Sequence, residues 1–114
     1  MTRQVVPENE WIIFTHNFTK TNRDKIVTIE VFNDQKEKID EVTNLPLKEV
    51  NISNTDKENS IAQVIAGLTS SVSHFIDKTK EIILENTDNG NPKTLYINSE
   101  TGRGVIIYFH SMGE

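Results

Sequence analysis

The sequence predicts an α+β fold, an N-terminal amphipathic helix packed on a curved, mainly antiparallel sheet of about six or seven strands, with a small barrel as the limit of that curvature. Three observations carry this. Residues 81–86, 94–98 and 105–110 are apolar runs separated by Thr87-Asp88-Asn89-Gly90-Asn91-Pro92 and Ser99-Glu100-Thr101-Gly102-Arg103-Gly104. Both connectors are rich in residues that tolerate positive φ or fix a turn, so the segment reads as a β-meander. Near the start, Trp11, Phe14 and Phe18 recur at helical spacing, and Val27, Ile29 and Val31 alternate with Thr28 and Glu30.

The helix is expected over residues 8–20. Pro7 preorganises a first turn, and Glu8 and Glu10 offset its exposed amide dipoles. The three aromatics then share one face, with Ile12 at its margin. Residues 21–24 end the helix and lead into a half-buried strand over 25–32, whose core side is Val27, Ile29 and Val31.

Residues 33–44 are charged and apolar only at Ile39 and Val42, which predicts a turn and a poor edge strand. Leu45-Pro46-Leu47 is expected to break it. Val50 and Ile52 alternate with Asn51 and Ser53 in another short strand, and residues 54–59 form a polar loop. Residues 61–76 read two ways. Ile61, Val64, Ile65, Leu68 and Val72 fit helical spacing, with Thr55 and Glu58 as a capping box. Gly67 before Thr69, Ser70 and Ser71 opposes a helix, and Val72, His74 and Ile76 alternate with Ser73, Phe75 and Asp77. Two strands around a Gly-Thr-Ser turn is the reading adopted. The three aromatics are then expected to pack on Val27, Ile29, Val31, Leu95, Ile97, Val105, Ile107 and Phe109.

With 114 residues the chain fits a single domain spanning 1–114. Lys and Arg number 12 against 17 Asp and Glu, a net charge of -5, which disfavours nucleic acid and anionic membrane as partners. Cysteine is absent, excluding disulfides, thiolate catalysis and cysteine-held metal. The opening residues lack an apolar run of signal-peptide length and no run is long enough to span a bilayer, so the expected location is cytoplasmic.

Pro7, Glu8, Glu10, Trp11 and Phe14, the Val27-Thr28-Ile29-Glu30-Val31 strand, Leu45-Pro46-Leu47, His74 with Ile76, Ile83-Leu84-Glu85, Leu95, Ile97 and Gly102 together resemble a family of small bacterial proteins known only as a domain of unknown function. The likeness spans nearly the whole chain and implies the helix-then-strands order. It implies no substrate, cofactor or partner.

The chemical candidates are sparse. His74 shares a strand face with Val72 and Ile76, where it could titrate near neutral pH or bind metal, and a pocket there would involve a carboxylate such as Asp77 or Glu85. The plainer reading is a packed histidine. His16 and His110 form no pair at ligand spacing, and no metal site or cofactor is expected. Asp88-Asn89-Gly90-Asn91 lacks the closing glutamate of a calcium loop and reads as a hairpin turn. Arg103 between two glycines could bind an anion, although a strand follows where a phosphate loop needs a helix. Tyr96 and Tyr108 are expected on one face of neighbouring strands, as stacking residues or as a cross-strand pair.

Apolar residues on both sides of the final strand mean that one side takes the helix and the other must meet more sheet or a partner. The expected function is therefore non-catalytic, through protein–protein contact or self-association such as a homodimer. The alternative is a small-molecule-binding or hydrolytic domain with a pocket near His74.

Overall fold

The computed structural model describes residues 2–53 and 60–110. It contains β1 (Thr2–Val5), a 3-10 turn (Glu8–Glu10), α1 (Trp11–Asn22), β2 (Ile26–Phe32), β3 (Lys38–Ile52), β4 (Ile61–Gly67), β5 (Ser71–Asp77), β6 (Thr79–Asn86), β7 (Pro92–Ser99) and β8 (Gly104–Phe109). The eight strands form one sheet in the order β1-β6-β7-β8-β2-β3-β4-β5. Every neighbouring pair is antiparallel.

The α+β antiparallel class is as the sequence predicts, and several details differ. The strand count is eight rather than six or seven, and β1 precedes the helix, which is therefore not the first element. The helix is α-helical only from Trp11, after the 3-10 turn that follows Pro7, and it runs on to Asn22.

The charged stretch before Asn44 is a turn followed by the first half of β3, a fifteen-residue strand; that half pairs with β2 alone, β4 joining only from Leu47, so it is an edge locally, as the sequence predicts. Leu45-Pro46-Leu47, however, does not break the strand. Val27 pairs with Leu45 and Ile29 with Val42, so β3 carries one residue more than β2 across this stretch. Asn44, at φ 58, accommodates the bulge in the left-handed region that asparagine tolerates. Pro46 lies opposite Ile26, the first residue of β2, and the ladder resumes where the Leu47 amide donates to the Lys25 carbonyl.

The sheet also does not close into a barrel. β5 turns directly into β6 at Lys78 (φ 47), but the open side of β6 is occupied by β1, so the two consecutive strands never pair. The two-strand reading of residues 61–76 holds, with Gly67 at φ 142 making the turn. A Cβ at Gly67 would collide with the Ser70 carbonyl oxygen. Thr55, Glu58 and the rest of the 54–59 loop lie outside the described residues.

Because β3 pairs with β2 along its first half and with β4 along its second, it bends the sheet into two layers around one core. Val27, Ile29, Val31, Ile82, Leu84, Leu95, Ile97, Val105 and Ile107 face Leu47, Val50, Ile52, Ala62, Val64, Ala66 and Ile76 within it. The helix closes the side of this core beside β3. Trp11 is 1% exposed and its Nε1 donates to the Val6 carbonyl at 3.1 Å. Phe18 stacks on Phe14 and meets Phe109 edge-on, with ring centres 5.5 and 5.6 Å apart.

One polar contact ties the helix to the sheet. Past Leu47 the edge of β3 that β2 occupied is uncovered, and Thr19 fills the gap. Its hydroxyl donates to the Val50 carbonyl at 2.8 Å and accepts from the Val50 amide at 2.9 Å, as a neighbouring strand would.

Candidate functional site

Alternation along β6, β7, β8 and β2 sends one set of side chains to the core and the other to an outer face. The register places Ile83, Tyr96, Ile106 and Glu30 in one row across the four strands, and Glu85, Thr94, Tyr108 and Thr28 in the next. Among the described residues no helix or strand is laid across this face. It is nonetheless tightly covered by its own side chains. Ile83 is only 5% exposed although it does not belong to the central core, while Tyr96 and Ile106 are half-buried.

Two tyrosine–carboxylate pairs organise the face. The Tyr96 hydroxyl donates to Glu85 Oε1 at 2.9 Å, diagonally from β7 to β6. Tyr108 of β8 is the diagonal neighbour of Glu30 on β2, on the opposite slant. Burial raises the Tyr96 phenol above its ordinary pKa, with the Glu85 hydrogen bond adding to it. Burial and then the Glu30 hydrogen bond push Tyr108 up to about 12. Both therefore stay neutral donors throughout the physiological range.

Cations complete each pair. Arg3 of β1 lies 5.7 Å from the centre of the Tyr96 ring and 3.4 Å from Glu85 Oε2. Lys38 sits 3.3 Å from Glu30 and 2.7 Å from Glu41, which together hold its ammonium above the usual lysine pKa. Beside Ile106 the face is notched. Gly104 stands opposite Asn98 and Phe32, where any Cβ would lie 2.8 Å from Asn98 Oδ1. The missing side chain leaves a hollow of about 230 Å³ lined by Phe32, Lys36, Asn98, Gly102, Gly104 and Ile106.

The residues singled out in the sequence fall in three places. Tyr96 and Tyr108 share the outer face. Asp77 and Arg103 meet at the β5–β6 corner, with carboxylate oxygen and guanidinium 3.7 Å apart and both ends largely in water. Such a pair contributes little. His74 is apart from both, on the core side of β5 opposite Val64, and its Nε2 is buried without a hydrogen-bond partner. Asp77 is three residues along the same strand and so points to the other side, as Glu85 does on β6.

Two grooves of about 410 Å³ flank the helix, one against β3 lined by residues including His16, Lys20, Arg23 and Glu49, the other against Leu84, Asn86 and Pro92. His74 lines neither groove, nor the hollow beside Gly104. His110 bonds Thr28 through Nε2 at 2.8 Å. No three His, Asp or Glu among the described residues converge as a metal site would require, and no helix there is long and apolar enough to cross a membrane.

Arg3, Glu30, Gly104 and the pairing role of Glu85 were missed from the sequence. The polar side of the Val27–Val31 alternation was the available signal for Glu30, but its partner depends on a diagonal across two strands far apart in sequence. Comparison with protein-family models, with curated proteins and with solved structures finds no match to this chain.

Proposed function

We propose that this chain is a small, non-catalytic cytoplasmic protein that acts by protein–protein contact, self-association included, through the outer face of β6, β7, β8 and β2. The observation that carries the reading is a sheet face on which Tyr96, Ile106 and Tyr108 stay partly exposed around the buried Ile83, with no element laid over it among the described residues. Such a surface gains by being covered, since apolar area leaves water and oriented phenols supply directional bonds. The resemblance to a bacterial family of unknown function adds no activity to this reading.

The test is Ile106→Glu, which puts a charge at the centre of the face while the opposite side of β8 keeps Val105 and Ile107 in the core. Light scattering from micromolar to near-millimolar concentration and affinity capture of the wild type should show an association that Ile106→Glu abolishes. A strict monomer that captures nothing, or association indifferent to Ile106→Glu, overturns the proposal.

A second reading, a small-molecule-binding or hydrolytic pocket near His74, is favoured by one observation, the partnerless Nε2 of that ring. A ligand able to donate a hydrogen bond there would give it a role.

A further inference from the structure

We infer that the open edge of β5 is a self-association site, where a second copy of this chain adds its own β5 antiparallel across a twofold axis. This contact is separate from the outer face of β6, β7, β8 and β2 and leaves that face free in both copies. β5 is the last strand of the sheet, and β4 is its one pairing partner among the described residues. The Lys78 amide donates to the Ser60 carbonyl at 2.9 Å in continuation of the β4–β5 register, so Val72, His74 and Ile76 turn their amides and carbonyls to β4. Those of Ser71, Ser73 and Phe75 point the other way, where no strand among the described residues pairs with them.

Elsewhere the sheet ends in edges that resist pairing. β1 is four residues long and contains Arg3, and the first half of β3 carries Lys38, Asp40 and Glu41 before its bulge at Asn44. From Ser71 to Ile76 there is no Asp, Glu, Lys, Arg or Pro, and the register to β4 is unbroken. The strand is also its own complement. With Ser73 on the axis, Ser73 meets Ser73 of the other copy and Phe75 meets Ser71, which gives about six backbone hydrogen bonds. That register leaves out the far end of the strand, where the Asp77 carboxylate lies 3.7 Å from Arg103 and the Lys78 carbonyl already accepts from the Glu100 amide. Ser71 stands opposite Gly67 on β4, so the row that receives Phe75 has little side-chain bulk. The ring, 54% exposed in one copy, lies across it toward the turn that holds Leu68, itself 77% exposed, and apolar area on both leaves water. Two chains of net charge -5 thereby meet along an uncharged segment, which avoids the like-charge contact that would oppose closure.

The test is sedimentation of the wild type from micromolar to near-millimolar concentration, with amide hydrogen exchange followed at both extremes. A monomer–dimer equilibrium is expected. Exchange at the Ser73 and Phe75 amides should slow as the dimer forms, while Val72, His74 and Ile76, bonded to β4, stay protected throughout. Ser73→Pro removes a donor aimed away from β4, and Phe75→Lys sets a charge on the edge; each should weaken the dimer about tenfold or more. Phe75→Lys changes an exposed position, so its amide spectrum should remain native and it decides the matter if Ser73→Pro does not fold. A strict monomer, or a dimer indifferent to Phe75→Lys, overturns the inference. Ile106→Glu separates the two surfaces. A dimer that persists in Ile106→Glu and is lost in Phe75→Lys supports the β5 contact, and outer-face association is then read in the Phe75→Lys protein. The reverse pattern overturns the β5 contact and leaves the outer face standing. A monomer that captures another protein, with capture lost in Phe75→Lys, overturns the second copy as the occupant.

Discussion

Replacing Thr19 by valine removes the one hydroxyl that completes the β3 ladder beyond Leu47. Valine has nearly the same shape, so packing in the core is preserved and the loss is confined to hydrogen bonding. Two backbone groups, the amide and the carbonyl of Val50, lose their partner together, and Val50 is 1% exposed. A buried orphan of this kind costs about 1–3 kcal/mol, which gives roughly 2–6 kcal/mol for the pair. The groove between α1 and β3 reaches Thr19 and Val50 and admits water, which argues for the lower end, about 2 kcal/mol. Thr19→Ser keeps the hydroxyl and should cost under about 1.5 kcal/mol, the loss of one methyl. Urea unfolding of both variants with an unchanged m-value is the assay, with hydrogen exchange at the Val50 amide as the local reporter. If Thr19→Val costs less than Thr19→Ser, or if the Val50 amide stays as protected as in the wild type, the helix does not serve as a surrogate strand and the reasoning fails.

Trp11→Ala should destabilise by about 3–5 kcal/mol in the same assay, because it empties a site that is fully enclosed and also frees the Val6 carbonyl. A change within about 0.5 kcal/mol would remove Trp11 from the core. The raised phenol of Tyr108 makes a signed prediction in alkali. Its folded pKa of about 12 exceeds the usual value near 10, so its contribution is present in full below about pH 10 and is lost as pH rises through 12. Spectrophotometric titration should show this tyrosine ionising late, and Glu30→Gln should bring its pKa down; an unshifted phenol in either protein would contradict the pairing. Finally, His74→Leu should be neutral or stabilising by about 1 kcal/mol, because it removes a buried nitrogen without a partner. A clear loss of stability would mean that the ring makes a contact the present geometry does not contain.

The elements that could be read from the sequence are those whose pattern is decided locally. The aromatics of α1 and the alternation of β2 each meet one core, so their spacing names the buried side directly. Gly67 and the serines after it separate β4 from β5 by backbone chemistry alone. What could not be read is what pairing decides. Thr2–Val5 is exposed at all four positions, and it is a strand only because Glu85, Leu84 and their neighbours offer it an edge more than seventy residues away. The charged first half of β3 was legible as an edge, whereas its continuation through Pro46 into the half that β4 pairs was not, because the bulge at Asn44 and the second pairing decide it. The tyrosines of the outer face were visible as a pair on neighbouring strands. Their carboxylates were not, because each lies one strand further out and on a diagonal that only the register defines.

The shared strand β3 has a mechanical corollary. One continuous backbone forms the seam of both layers: residues 38–46 hold β2 and residues 47–52 hold β4, so the layers part only by bending β3 where its two halves meet. A molecule stitched in this way should melt in a single step, because the strands on either side of that junction bury one common core and neither set keeps it dry alone.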